Sequence, residues 1–223
     1  MENSKQDKRG MRRVRITRNS EISPRVHLIS WKRETDFVAG QVIQVALAPD
    51  DPPRIYSICS GNREEEITLL FNVKDDGFIT PKLASLSRGD QLFVSEPYGS
   101  FTGDETPAWW IATGTGIAPF YSMLQSGLGV NKKLIHGARY ANQFYFAEEF
   151  RTLLGENYVP CCTGESGPGL FPGRVTGYLK SCGKLPDGHT WYLCGNALMV
   201  VEARDLLIEK GVPYGNIVAE IYF

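Results

Sequence analysis

Arg54-Ile55-Tyr56-Ser57 decides what the first half of this chain is. It follows Pro52-Pro53 and opens a run, residues 54–60, with the β-branched and aromatic content of a strand. Alternation along a strand puts Arg54 and Tyr56 on one face and Ile55 and Ser57 on the other. A guanidinium grips phosphate through two parallel hydrogen bonds. A flat ring stacks on another for about 0.5–1.5 kcal/mol beyond its buried area. Together they suit a ligand with a phosphate and a planar ring system. Taken alone, the stretch reads first as an ordinary strand with one exposed Arg and a half-buried Tyr, so its neighbours must decide.

Outward from it, residues 12–17, 25–31, 41–48, 66–73 and 91–96 are short runs of Val, Ile, Leu and aromatics. Turn signals separate them: Asn19-Ser20, Gly40, residues 49–53, Ser60-Gly61-Asn62, residues 75–77 and Gly89-Asp90. Six such strands predict a closed antiparallel β-barrel. Residues 81–87 interrupt it with a short helical turn. After about residue 104 the pattern changes. Apolar runs at 108–112, 133–137, 158–162, 190–193 and 217–223 alternate with helical stretches at 118–125, 144–154, 175–181 and 197–210, the last stopped by Gly211. Alternation of this kind predicts a parallel sheet covered on both faces, a Rossmann-like α/β domain. The expected organisation is a flexible tail over residues 1–10, a barrel over 11–103 and the α/β domain over 104–223.

With 223 residues and 42% hydrophobic content, the chain has room for two small domains with ordinary cores. Its formal net charge of −1 gives no argument for nucleic-acid binding. The charge is uneven: residues 1–33 hold ten Lys and Arg against three acids, a basic face suited to an acidic partner. Five cysteines without a Cys-x-x-Cys pair argue against a disulfide framework, an iron–sulfur cluster or a metal site. They suggest a reduced, cytoplasmic setting. The polar first ten residues do not resemble a signal peptide, and no apolar run is long enough to span a bilayer.

Four further stretches carry chemistry. Thr113-Gly114-Thr115-Gly116-Ile117-Ala118-Pro119 lies where the first parallel strand meets a helix, and its glycines let backbone approach a ligand closely. It lacks the full Gly-x-Gly-x-x-Gly fingerprint. Gly77-Phe78-Ile79-Thr80-Pro81 is a second anion-site candidate, with Thr80 as helix cap and Pro81 as first helical residue. Cys194-Gly195-Asn196 ends another parallel strand and opens a helix. Glu220 lies in an apolar strand, followed at the terminus by Tyr222 and Phe223.

In order and spacing, these residues resemble the plant-type ferredoxin–NADP reductase family, closest to its short bacterial ferredoxin/flavodoxin reductases, over nearly the whole chain from Met11. The resemblance implies a barrel that binds FAD and an α/β domain that binds NADPH or NADH. Arg54 would hold the FAD pyrophosphate, Tyr56 stack on the isoalloxazine and Ser57 reach flavin N5. Gly77, Ile79 and Thr80 match the helix start that binds the pyrophosphate. Thr113, Gly114, Thr115, Gly116 and Pro119 match the motif that receives the nicotinamide nucleotide, with Cys194 and Gly195 beside it. Ser57, Cys194 and Glu220 would be the catalytic set, and Tyr222 or Phe223 the terminal aromatic gate. Family members selective for NADP place Ser-Arg after the third strand of the sheet, where this chain has Thr163-Gly164. Arg139 and Arg174 are the remaining cations for a 2′-phosphate, so both nucleotides stay open with a lean to NADPH. The implied activity passes electrons between NAD(P)H and an acidic one-electron carrier, a ferredoxin or flavodoxin. Two other readings stand beside it: an electron-transfer subunit of a larger oxygenase or dihydroorotate dehydrogenase, and a non-catalytic nucleotide-binding module.

Overall fold

The computed structural model describes residues 10–222. Most of the tail expected over residues 1–10 lies outside the described residues, as does Phe223. The chain divides after Thr102 into two units, each with its own core.

Side-chain alternation builds the first unit. In β1 (Arg12–Ser23), Val14 and Ile16 are buried while Arg13 and Arg15 face solvent. β2 (Val26–Lys32), β3 (Val42–Ala46), β4 (Arg54–Ser57), β5 (Glu66–Asn72) and β6 (Gln91–Val94) complete one sheet in the order β4-β3-β6-β1-β2-β5. Every pairing in it is antiparallel. A bridge between Ile58 and Leu69 and a 2.8 Å bond from Cys59 N to Thr68 O join the two edges, closing the barrel the alternation predicts. Trp31, Ile43, Ile67, Leu69 and Leu92 fill its centre. Each such side chain contributes about 1.5–3 kcal/mol of burial. Arg12 is buried as well, with Nη1 donating to Glu34 at 3.0 Å and Nε 3.6 Å from Glu96.

One expected turn is not a turn. Asn19-Ser20 lies inside β1, and the chain reverses later, at Arg25 with φ +66°. The Asn19 side-chain amide donates to Leu83 O at 2.8 Å, Ala84 O at 3.4 Å and Leu86 O at 2.7 Å. Those carbonyls lie at the end of the six-residue α1 (Thr80–Ser85), where Leu83 O also accepts from Leu86 N at 3.2 Å.

The second unit is a wholly parallel sheet in the order β10-β9-β8-β7-β11-β12. Its strands are β7 (Ala108–Thr113), β8 (Lys132–Ala138), β9 (Tyr158–Cys162), the two-residue β10 (Phe171–Pro172), β11 (Thr190–Asn196) and β12 (Ile217–Tyr222). The helices are α2 (Ala118–Gln125), α3 (Ala147–Leu154), α4 (Val175–Ser181) and α5 (Ala197–Glu209). Ile111, Ile135 and Leu193 pack with Leu179 of α4 and with Val200, Ala203 and Leu207 of α5. Trp110 stacks on Phe120 of α2 with ring centres 5.5 Å apart. α3 begins three residues later than the periodicity predicts, because Phe146 turns the chain at φ +60°. His136, wholly buried in β8, meets the Tyr158 hydroxyl through Nδ1 at 3.1 Å, and burial pushes its imidazole down to about 3.

The Asn19 clasp has a measurable consequence. Asn19→Ala is expected to cost about 1–2 kcal/mol in denaturant unfolding and to raise amide exchange across residues 80–86. Unchanged stability and exchange would show that α1 does not depend on it.

Candidate functional site

In the first unit, β4 ends at Ser57, as a Ser57 turned toward a ligand edge requires. Burial along β4 does not follow simple alternation: Arg54 and Ile55 are exposed, Tyr56 is half-buried and Ser57 is buried. Tyr56 packs against the barrel core, its ring edge-on to Phe71 at 6.3 Å. Burial raises the Tyr56 hydroxyl above its ordinary range, so it stays neutral. The Arg54 guanidinium donates to the carbonyl of its neighbour Pro53 at 3.2 Å, and no carboxylate pairs with it among the described residues. An exposed cation without an acid beside it is available to an anion.

The turn before α1 differs from expectation. Thr80 is not a cap; it is the first helical residue, and Ile79 occupies the cap position without a side-chain hydrogen bond. The Thr80 hydroxyl instead accepts from Lys74 N at 3.0 Å, which closes the loop. A Cβ on Gly77 would stand 2.8 Å from that hydroxyl, so the turn tolerates no side chain there. Ile79 is buried in the core against which Tyr56 packs, leaving only its backbone for a ligand. An open guanidinium, a half-buried neutral ring and a glycine turn at one barrel fit a group with a pyrophosphate and a planar ring system, as FAD has.

In the second unit, the chain runs from β7 to β8, β9 and β10 on one side and returns to β11 on the other. The strand order therefore reverses between β7 and β11, and the crevice outside such a reversal is where ligands enter open α/β sheets. Thr113 ends β7, Gly114–Ile117 forms a 3₁₀ turn, and Pro119 sits in the first turn of α2. Cys194, Gly195 and Asn196 end β11 opposite them. The two strand ends interlock. A Cβ on Gly116 would collide with the Cys194 carbonyl and the Gly195 Cα. Gly195 has φ +134°, and a Cβ on it would lie 2.5 Å from Thr113 Oγ1. Asn196 N donates to that same Oγ1 at 3.3 Å, while the Asn196 side chain caps α5 by accepting from Leu198 N at 3.0 Å and Met199 N at 3.4 Å.

Cys194 is fully buried and in register with Glu220 of β12. Burial, then the Glu220 carboxylate, push its thiol well above the ordinary range, and a hydrogen bond with Tyr222 opposes them. Cys194 therefore stays a neutral thiol. Thr113, Gly114, Thr115, Gly116, Pro119, Cys194, Gly195, Glu220 and Tyr222 thus gather at the carboxyl ends of β7, β11 and β12. Arg139, just beyond β8, and Arg174, at the start of α4 and 3.8 Å from Glu202, belong to other strand ends. Asn196 was not among the expected site residues, although an Asn directly before the helical run at 197–210 is a cap signal.

Residues 110–205 match the family model described as "Oxidoreductase NAD-binding domain". A flavodoxin/ferredoxin–NADP reductase of Escherichia coli is 32% identical over 193 residues, covering 75% of this chain and 77% of that protein. The chain belongs to the ferredoxin–NADP reductase family. Within it, a probable dihydroorotate dehydrogenase B (NAD(+)) electron transfer subunit of Pyrococcus abyssi is 30% identical, covering 88% of this chain and 74% of the relative. Among solved structures, a ferredoxin NADP+ reductase from Neisseria gonorrhoeae with bound FAD and NADP superposes with a TM-score of 0.85 at 22% identity, covering 96% of this chain and 99% of that one. The reductase fold, barrel followed by parallel sheet, is the one the sequence predicts.

The interlock makes the reductase sensitive at one atom. Gly116→Ala is expected to cost about 1–3 kcal/mol, the range for overpacking. Gly183→Ala, where a Cβ meets nothing within 4 Å, should change stability by less than about 0.5 kcal/mol. Equal effects in thermal unfolding would mean that the β7 and β11 ends are not in contact.

Proposed function

We propose that this chain is a FAD-dependent reductase that passes electrons between NAD(P)H and a small one-electron carrier, a ferredoxin or flavodoxin. The observation that carries the reading is the glycine-walled crevice at the strand-order reversal, in a chain that also carries an open Arg54 and a half-buried Tyr56 on one barrel strand. Membership of the ferredoxin–NADP reductase family supports it. When bound, FAD supplies chemistry that side chains lack, taking up an electron pair and releasing electrons singly.

The barrel, residues 11–103, binds the flavin. Arg54 neutralises the pyrophosphate by charge-assisted hydrogen bonds. The backbone at Gly77, Ile79 and Thr80 approaches it, and Tyr56 holds the ring system by stacking. Ser57 presents a hydroxyl at the end of β4, where a proton on the flavin ring edge needs a partner. The α/β domain, residues 104–223, binds the nicotinamide nucleotide. Thr113, Gly114, Thr115, Gly116 and Pro119 cradle it, and Gly195 keeps the wall flat. Cys194 excludes water beside the nicotinamide, Glu220 holds a proton, and Tyr222 closes the end of β12. Arg13, Arg15 and Arg18, exposed along β1, give an acidic carrier a surface to approach. Among the described residues no helix is long and apolar enough to cross a membrane, and all five cysteines are free, in keeping with a cytoplasmic protein.

Two measurements test the assignment. Titrated with FAD and followed by fluorescence, Arg54→Ala should bind roughly ten- to hundredfold more weakly than the wild-type chain, the loss of a charge-assisted phosphate contact. Wild-type affinity in the variant would remove Arg54 from the site. The FAD-loaded protein should also reduce an artificial acceptor with NADH or NADPH; no turnover with either would favour a non-catalytic nucleotide-binding module.

A further inference from the structure

The two edges of the parallel sheet are not alike. At one edge stands β10, two residues long and ending at Pro172. Shortness and proline both stop an edge strand from pairing with another chain. At the other edge stands β12, six residues of regular strand (Ile217-Val218-Ala219-Glu220-Ile221-Tyr222) with no Pro, Lys or Arg. Among the described residues β12 pairs with β11 and with no other strand. An apolar edge of this length is a template for a further strand.

Side chains widen that edge into a surface. Leu193 of β11 packs beneath α5 and is in register with Ala219, so Ala219 and Ile221 point to the α5 side of the sheet. Both are nevertheless exposed, because α5 leaves the outer strand uncovered there. α4 packs over β8, and α5 packs over β11 and β12. Glu202 of α5 faces α4, 3.8 Å from Arg174. Successive residues turn about 100° round a helix, which puts Val201, Arg204 and Ile208 on the opposite flank, above the open edge. Val201 and Ile208 are 39% and 43% exposed. Between them the Arg204 guanidinium donates to Asp205 Oδ1 through Nε at 2.9 Å and Nη2 at 2.7 Å. A flank with apolar ends and one cation beside one anion at its middle is complementary to itself when turned end for end.

We propose that β12 and this flank of α5 join two copies of the chain across a two-fold axis, making one continuous sheet of two. An axis perpendicular to the sheet sets β12 antiparallel to the partner's β12 and α5 beside the partner's α5 on the same face. Side chains directly opposite each other share a face, so one residue of β12 lies opposite its own copy. Ala219 and Glu220 are the two residues at the middle of the strand. Glu220 in that place would oppose two carboxylates, which disfavours the register. Ala219 in that place sets Glu220 against the partner's Val218 and Ile221 against the partner's Ile217. The one charge on the strand thus selects the register. At 13 and six residues, α5 and β12 both span about 20 Å, so Arg204 is level with Ala219 and within reach of the partner's Asp205.

The test is sedimentation velocity on the full-length chain. The wild type should sediment as a dimer at micromolar concentrations. Ala219→Arg sets two cations against each other and should weaken dimerisation by at least about tenfold, with an unchanged circular dichroism spectrum. Should that variant lose its fold, Ile208→Glu on the α5 flank carries the same expectation. Crosslinking fixes the register. With glutathione disulfide as the oxidant that is reduced in turn, Ala219→Cys should form an intermolecular disulfide, since opposed residues have Cα atoms about 4.5–5.5 Å apart. Ile221→Cys, two residues away, should not exceed the wild-type background. A wild type that stays monomeric overturns the inference and leaves the edge to a different chain. A dimer that Ala219→Arg and Ile208→Glu leave intact overturns it too, as does crosslinking by Ile221→Cys without crosslinking by Ala219→Cys.

Discussion

The second unit depends on a backbone contact that only glycine permits. Gly116 in the turn after β7 lies against the Cys194 carbonyl and Gly195 Cα, and Gly195 lies against Thr113. Gly116 must be glycine because of the Cys194–Gly195 backbone, and Gly195 because of Thr113 and its own φ of +134°. The contact brings two strand ends together where the strand order reverses, and it does so with main chain, which has no rotamers to lose when a ligand arrives. Thr113 serves both sides, ending β7 and accepting the Asn196 N–H that starts the turn into α5. The result is a crevice held in shape before any nucleotide enters.

The electrostatics around that crevice follow from its burial. Cys194 is kept as a thiol by a dry setting and by Glu220, so the site presents a polarisable, uncharged wall. His136, one strand away in β8, is likewise neutral. Arg139, just beyond β8, is exposed to solvent, and Glu220 brings a carboxylate into register beside Cys194. In the barrel the same logic places the Arg54 cation outside and the Tyr56 ring half inside.

Much of this was legible in the sequence, for a physical reason. Period-two alternation in β1 and the near-continuous apolar run of β7 are imposed by one-sided and two-sided burial, so they can be read without coordinates. The close backbone approach at Gly116 and Gly195 was legible because it is local to two turns. What failed was decided by distant partners. Asn19 carries a turn residue's chemistry, but its amide serves carbonyls more than sixty residues away. Thr80 looks like a cap, yet its hydroxyl is taken by Lys74 N. Glu165 likewise ties its loop to Ala141 of the neighbouring loop, a contact no local pattern announces.

The central claim is that a flavin on the barrel takes electrons from a nicotinamide nucleotide held at the β7–β11 crevice. Anaerobic stopped-flow mixing of the FAD-loaded protein with NADH, followed at the flavin absorbance band, tests it most directly. The account predicts bleaching whose rate saturates with NADH, and recovery of the band on adding a one-electron acceptor. A flavin spectrum unchanged by NADH and by NADPH would contradict it.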